Sequence, residues 1–246
     1  MNNQKNIDDL LRKQTFSTDI SSLDALVYNY AESIAKIEKC VVVVSDLKFG
    51  TSRIFSGAFA NQLGLTNYTI ENSIWEKEIL TLMTPEECNE KYLAELRFFN
   101  FLRHIPRHLR ENYHLATTLR MFNKNSKPID VLHRMYYRYE TNSDVIRYGI
   151  CLYGPDTFSI PAKSIAIDSV TGHWEELSSV TDNGILSHRE KQVLALIEQG
   201  MTSQAIASDL CISKHTVSRH RQEILAKLQA RNSTEACRRA KQLKII

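Results

Sequence analysis

The chain has 246 residues, of which 43% are hydrophobic and 24% charged, and a formal net charge of +3. That length allows one or two domains, and the composition is ordinary for a globular protein. The longest apolar run, Cys40 to Val44, is far too short to cross a bilayer, and no N-terminal segment has the layout of a signal peptide.

The five cysteines are widely spread, odd in number and without a Cys-x-x-Cys pair. They read as reduced thiols of a cytoplasmic protein. A redox-sensing thiol would need an exposed, electropositive site.

Residues 1–20 are polar and mixed, which predicts a frayed lead-in or an arm that packs late. Ser21 or Ser22 can start a helix with Leu23, Leu26, Val27, Tyr30, Ile34 and Ile37 on one side. The β-branched run Cys40 to Val44, bounded by Ser45-Asp46, predicts a buried strand. Thr51 to Phe55 is a second strand across a turn holding Gly50, and Gly57 and Gly64 bracket a short helix over 58–63. Thr84-Pro85-Glu86-Glu87 then opens a long helix: a cap, a proline at the first helical position and acids in the first turn. Pro106 ends it. After that the period changes to that of strands, over 114–122, 129–139 and 145–153, with turn-rich connections at 123–126 and 141–144.

The order is helix, two strands, several helices, three antiparallel strands. It resembles a PAS-like sensor domain, with the stretch Ser52 to Leu65, including Phe59-x-x-x-Leu63-Gly64, similar to the early part of such domains. The resemblance implies a five-stranded antiparallel sheet with helices crossing one face. An acyl-homoserine-lactone-binding domain is the competitor; its pocket resembles a tryptophan- and tyrosine-lined slot with a buried aspartate, whereas only Trp75 lies in this region, with no Asp-Pro after it. A phosphoacceptor receiver lacks support, because only Val41 to Val44 ends in an acid, Asp46, and the alternating strand-helix order is missing.

No catalytic constellation, metal site or cofactor is expected. His104-x-x-x-His108 has metal-ligand spacing, but Pro106 spoils the shared helical face, and the arginines 103, 107 and 110 make a solvated basic loop the better reading. His133, on a strand, is weighed as a haem ligand and set aside as a structural or half-exposed side chain. No Gly-rich phosphate loop appears.

Residues 159–184 predict a linker containing a short hairpin, with Ser164 to Val170 alternating and Thr171-Gly172 turning. Trp174 is expected to pack on the preceding domain or on a second protomer. Thr181 to Gly184 is the joint.

Residues 185–246 carry 11 Lys and Arg against 5 Asp and Glu, a balance of +6; the remainder carries 20 against 23, a balance of −3. A nucleic-acid surface therefore belongs at the C-terminal end. Ser187-His188-Arg189-Glu190 is a capping box, and Gly200 sits where a helix end wants a left-handed residue. Thr202 caps a second helix, Cys211-Ile212 turns, Ser213 caps a third helix over Lys214 to about Gln229, and Ser233 caps a fourth with Ala236, Ala240 and Leu243 inward. In the third helix Val217, His220, Ile224 and Leu228 recur at core spacing. His215, Ser218, Arg219 and Gln222 form another face, polar and free of acids, with Lys214, Thr216 and Arg221 flanking it toward phosphates. That is the layout of a major-groove reader. Thr202, Ser203 and Gln204, at the second helix's N-terminus, can meet a further phosphate.

Leu186-Ser187-x-Arg189-Glu190, Val193-Leu194, Gly200, Ile206-Ala207-x-x-Leu210, Ile212-Ser213, Thr216-Val217-x-x-His220, Ile224 and Lys227-Leu228 together resemble the DNA-binding domain of LuxR-type transcriptional regulators, over about a quarter of the chain. The resemblance implies a four-helix domain whose third helix enters the major groove of double-stranded DNA and whose fourth helps a homodimer form. Many members carry Lys after Thr-Val where this chain has Ser218, so Arg219 or Arg221 is expected to supply the charge.

The expectation is thus an α+β chain. Residues 1–158 form a PAS-like sensor domain, 159–184 a linker, and 185–246 an all-α helix-turn-helix domain. The partners would be duplex DNA, a second copy and a small-molecule ligand of the sensor, with no membrane. An N-terminal enzyme or docking domain carried to DNA by the C-terminal module is the alternative.

Overall fold

A computed structural model describes residues 3–16, 23–141, 143–157, 159–178, 186–228, 230–242 and 245–246. The chain divides into two compact units, Asn2–Glu176 and Leu177–Ile246. The serines expected to open the second helix, the joint over 181–184, Gln229 and Leu243 lie outside the described residues.

The first unit is built on one antiparallel sheet. Its strands are β1 (Val41–Asp46), β2 (Thr51–Ser56), β3 (Ile70–Glu71), β4 (Tyr113–Phe122), β5 (Pro128–Tyr139), β6 (Ile146–Pro155), β7 (Ser164–Asp168) and β8 (Trp174–Glu176), in the spatial order β3-β2-β1-β6-β5-β4-β7-β8. The five strands of the expected PAS-like sheet are its middle, β2-β1-β6-β5-β4. A short strand extends one edge and the β7–β8 hairpin the other. That hairpin, expected within a linker, pairs through β7 with β4, from Tyr113 opposite Asp168 to Thr117 opposite Ser164. Trp174 on β8, expected to pack on this domain or on a second protomer, stands opposite Ile167 of β7 and remains 45% exposed.

Helices cover both faces of the sheet, where one was expected. The reason lies in β1, whose residues are buried on both sides. Val42 and Val44 join Ala31 and Ala35 of α2 (Leu23–Glu38) and Tyr148 and Leu152 of β6 in one apolar cluster. The opposite face meets α5 (Pro85–His104), which buries Leu93, Leu96, Phe98 and Leu102. Thr84 caps that helix, its hydroxyl accepting from Glu87 N at 3.2 Å, and the helix stops at His104, before Pro106. Two short helices, α3 (Ala60–Leu63) and α4 (Lys77–Leu80), and a 3-10 turn, Arg107–Asn112, fill the connections. Gly57 is required by close approach: a Cβ there would lie 2.2 Å from the Ala35 carbonyl oxygen and 2.5 Å from that of Cys40.

The polar start of the chain is not frayed. It forms α1 (Asn3–Arg12), which packs against α5 and buries Ile7 and Leu11. Two polar ties fix it: Asn3 Nδ2 donates to Asn89 Oδ1 at 3.0 Å, and Trp75 Nε1 donates to Asp8 Oδ1 at 2.7 Å.

The second unit is all-α: α6 (His188–Glu198), α7 (Ser203–Asp209), α8 (Lys214–Lys227) and α9 (Ser233–Gln242). Its core gathers Val193 and Leu194, Ile206 and Ala207, Val217 and Ile224, and Ala236 and Ala240, two from each helix. Among the described residues, no helix is long and apolar enough to cross a membrane.

Candidate nucleic-acid interface

The caps decide where the helices of the second unit start. The Ser187 hydroxyl accepts from Glu190 N, and Glu190 Oε2 accepts from Ser187 N at 2.6 Å, so the capping box closes reciprocally. Thr202 accepts from Ala205 N at 3.2 Å and Ser213 from Thr216 N at 3.0 Å. The fourth cap differs from expectation. Asn232, not Ser233, holds the helix start, its Oδ1 accepting from Glu235 N at 2.9 Å; Ser233 is the first helical residue.

Three charged side chains brace the framework. Glu190 is 1% exposed and also takes Lys227 Nζ from α8 at 2.7 Å. Burial pushes its carboxyl up, but the hydrogen bonds from Lys227 and Ser187 outweigh burial and hold it below the usual range. Arg189 Nη2 donates to the Leu210 carbonyl at 2.5 Å, satisfying the end of α7. Arg239 Nη1 donates to the Leu228 carbonyl at 2.7 Å, at the end of α8, and its Nη2 bonds Glu235. The Arg189-Glu190 pair read in the sequence as a family mark therefore has structural work at both positions.

The tight turn between α7 and α8 passes through Cys211 at φ 53° and returns Ile212 N to the Ala207 carbonyl at 3.0 Å. Gly200, at φ 83°, closes α6 in the same left-handed region. These two turns set α7 and α8 against each other and leave one side of α8 outward.

On that side His215, Ser218, Arg219 and Gln222 are all exposed, one turn after another, with Lys214 at the helix start. The core side differs slightly from expectation: Val217, Ile224 and Leu228 are buried, while His220 is half-buried with Nδ1 3.5 Å from Glu223. The face is also not free of acids. Glu223 lies one turn after Arg219, and Arg219 Nε donates to Glu223 Oε1 at 2.9 Å. That hydrogen bond holds the Glu223 carboxyl below its ordinary range. The Nε donor of Arg219 is thus engaged by Glu223.

The flanking residues separate into free and tied groups. Ser218, which stands in place of the lysine seen in many LuxR-type domains, donates its hydroxyl to the Lys214 carbonyl at 3.1 Å. Thr216 Oγ1 sits 2.8 Å from Ser213 Oγ. Arg221 faces inward: Nη1 donates to Ser203 Oγ at 3.1 Å and Nη2 to Ser233 Oγ at 2.8 Å, stapling the N-termini of α7 and α9 to α8. This engages the Ser203 hydroxyl, while Thr202 and Gln204 stay exposed on the first turn of α7. Helical spacing already sets Arg221 off the face that carries Arg219; what it does not disclose is that Arg221 finds Ser203 and Ser233 on two other helices.

Residues 184–240 match the family described as bacterial regulatory proteins, luxR family. The chain is similar to the transcriptional regulatory protein FixJ of Rhizobium meliloti, 42% identical over 55 residues, which are 22% of this chain and 27% of that one. It is also similar to the CsgBAC operon transcriptional regulatory protein of Escherichia coli, 36% identical over 56 residues, 23% of this chain and 26% of that one. The chain thus spans about a quarter of the length of these relatives. Among solved structures, a phage VqmA–DPO complex aligns over 91% of this chain and 90% of its own at 14% identity, with a TM-score of 0.36. With the caps, the tight turn and the outward face of α8 in place, the C-terminal unit is a LuxR-type helix-turn-helix domain of the luxR family of bacterial regulatory proteins.

Proposed function

We propose that this chain is a sequence-specific, DNA-binding transcriptional regulator that acts in the cytoplasm as a homodimer. In this reading residues 185–246 bind DNA, and the PAS-like unit before them senses a small molecule or sets the geometry of the dimer. The reading assigns no catalytic step to the chain. The observation that carries it is the outward stripe of α8, His215, Ser218, Arg219 and Gln222, on a helix capped by Ser213 and braced by Glu190 through Lys227. Arg219 and Gln222 have the reach and donor groups for base edges. Lys214, His215 and Thr216 at the start of α8, and Thr202, Ser203 and Gln204 at the start of α7, suit the phosphates on either side. Ser218 lies between the base-reading side chains, and Arg221 holds α8 in position. Two copies would meet half-sites about one turn, ~34 Å, apart.

The test is binding of the full chain to DNA selected from a random pool, followed across salt concentration. Neutralising about six phosphates per protomer gives a slope of log K against log salt near ~−5. A single enriched, roughly palindromic sequence is the expected outcome. Salt-independent binding, or no enrichment, overturns the reading.

A further inference from the structure

The sheet unit hides a second group of chemically capable side chains, remote in sequence from the helix-turn-helix. On the α5 side of the sheet, Thr117, His133 and Tyr153 stand opposite one another on β4, β5 and β6, and Met135 stands opposite Cys151 one pair further along. Lys91 and Glu95 come down from α5, one turn apart, and Glu76 arrives from the connection before α4. All of them are buried, and His133 is 0% exposed.

Among the described residues, neither ring nitrogen of His133 has a hydrogen-bond partner, and neither does Thr117 Oγ1 or Glu76 Oε2. A buried imidazole with both nitrogens unmatched costs several times the worth of one hydrogen bond unless something else meets it. The Tyr153 ring stacks on it, centroids 4.7 Å apart, and fixes its plane without touching its nitrogens. A ligand atom each from Glu95, His133 and Cys151 lies within 4.8 Å of the other two. The adjoining cavity, lined by Glu76, Lys91, Glu95 and Cys151 among others, has a volume of about 30 Å³. By the same measure one water occupies ~10–15 Å³, so the space can take an ion with a water.

We propose that Glu95, His133 and Cys151 bind a divalent transition metal, zinc or an ion of similar softness, inside the sheet unit. One thiolate, one imidazole and one carboxylate form a donor set for a borderline-soft, four-coordinate ion, with the fourth position open to water or to Glu76. On binding, the Cys151 thiol releases its proton to solvent water, the sulfur–metal bond replaces the S–H bond, and no electron is transferred. Charge favours the exchange. Lys91 donates to Glu95 Oε1 at 2.5 Å and lies 3.8 Å from Glu76 Oε2, so one ammonium faces two carboxylates. A doubly charged ion that displaces one proton adds one net positive charge and cancels the remainder. Glu76 stands beside the site, held by the Tyr153 hydroxyl at 3.2 Å, and accepts from the Cys151 thiol until that proton leaves. This inference is independent of the DNA-binding reading.

The full chain, stripped with a chelator and titrated with Co²⁺ alone, tests it. About one ion per chain is expected, with a thiolate-to-cobalt charge-transfer band in the near ultraviolet. Cys151→Ser should abolish the band. His133→Gln should weaken uptake at least ~10-fold, the loss already typical for a partner one shell further out. X-ray absorption on the unmutated cobalt form needs no variant to fold, and should read a single sulfur beside nitrogen and oxygen donors. No stoichiometric uptake, a band that survives Cys151→Ser, or a first shell without sulfur overturns the site.

Discussion

The two units use buried charge in opposite ways. In the helix-turn-helix unit Glu190, Arg189, Arg221 and Arg239 each reach from one helix to another and finish a backbone end or a hydroxyl. Of these Glu190 and Arg239 are buried and Arg189 and Arg221 half-buried, while Lys214, His215, Arg219 and Gln222 stay outside. In the sheet unit Asp46 and Arg147 form one buried ion pair, while Glu76, Lys91, Glu95, His133 and Cys151 converge on one region under α5. In one unit buried charge builds a scaffold whose function lies on the outside. In the other it builds an interior.

The largest expected effect tests the interior. Lys91 is 1% exposed and neutralises two carboxylates. Burial works against its charge, yet Glu76 and Glu95 outweigh it and hold the ammonium protonated well above its ordinary range. Lys91→Met leaves both acids buried and unmatched, and should cost about 3–5 kcal/mol in denaturant unfolding. Adding Glu95→Leu should recover part of that. Equal losses for the single and double variants would mean that the cluster is not electrostatically coupled.

Arg221→Ala comes next. It removes two hydrogen bonds from a half-buried guanidinium and should destabilise the C-terminal unit by about 1–2 kcal/mol. DNA affinity should fall equally for all sequences. A sequence-selective loss would move Arg221 from brace to base reader.

Glu190→Gln should cost ~1 kcal/mol at neutral pH, with a pH signature. The folded carboxyl titrates below its unfolded value near 4.5, so its contribution is fully present above pH 4.5 and is lost as pH falls through the lower, folded value. The gap between the melting curves of wild type and variant should therefore close below pH 4.5. A constant gap would show that Lys227 and Ser187 do not hold the charge.

The smallest effect is at the turn. Cys211→Gly relieves a left-handed β-carbon at φ 53° but adds freedom to the unfolded chain, for a net gain of up to ~1 kcal/mol. A loss there would mean that the Cys211 side chain packs favourably.

What the sequence disclosed follows the same division. The C-terminal unit is built from local rules, with caps, a turn and a 3.6-residue apolar period, so its helices could be read within a few residues. What escaped were partnerships across helices: Arg221 with Ser203 and Ser233, and Glu223 one turn past Arg219. In the sheet unit the strands followed from β-branched runs and turn residues, and Thr84-Pro85 marked α5. The α1 helix was missed because Ile7 and Leu11 are its only fully committed core residues, and its hold depends on α5 and on Trp75. The buried cluster gave no local signal at all. Lys91-x-x-x-Glu95 looks like a surface ion pair, and His133 like a half-exposed strand residue. Only the register of β4, β5 and β6 beneath α5 brings them together.

In the proposed function, Arg219 reads a base while the rest of α8 positions it. Fluorescence anisotropy of the full chain on its selected site, and on variants of that site changed at one base pair each, tests this directly. Arg219→Ala should cost about 1–3 kcal/mol on the preferred site and flatten discrimination at one base pair alone. An equal loss on every sequence, or no loss at all, would contradict it.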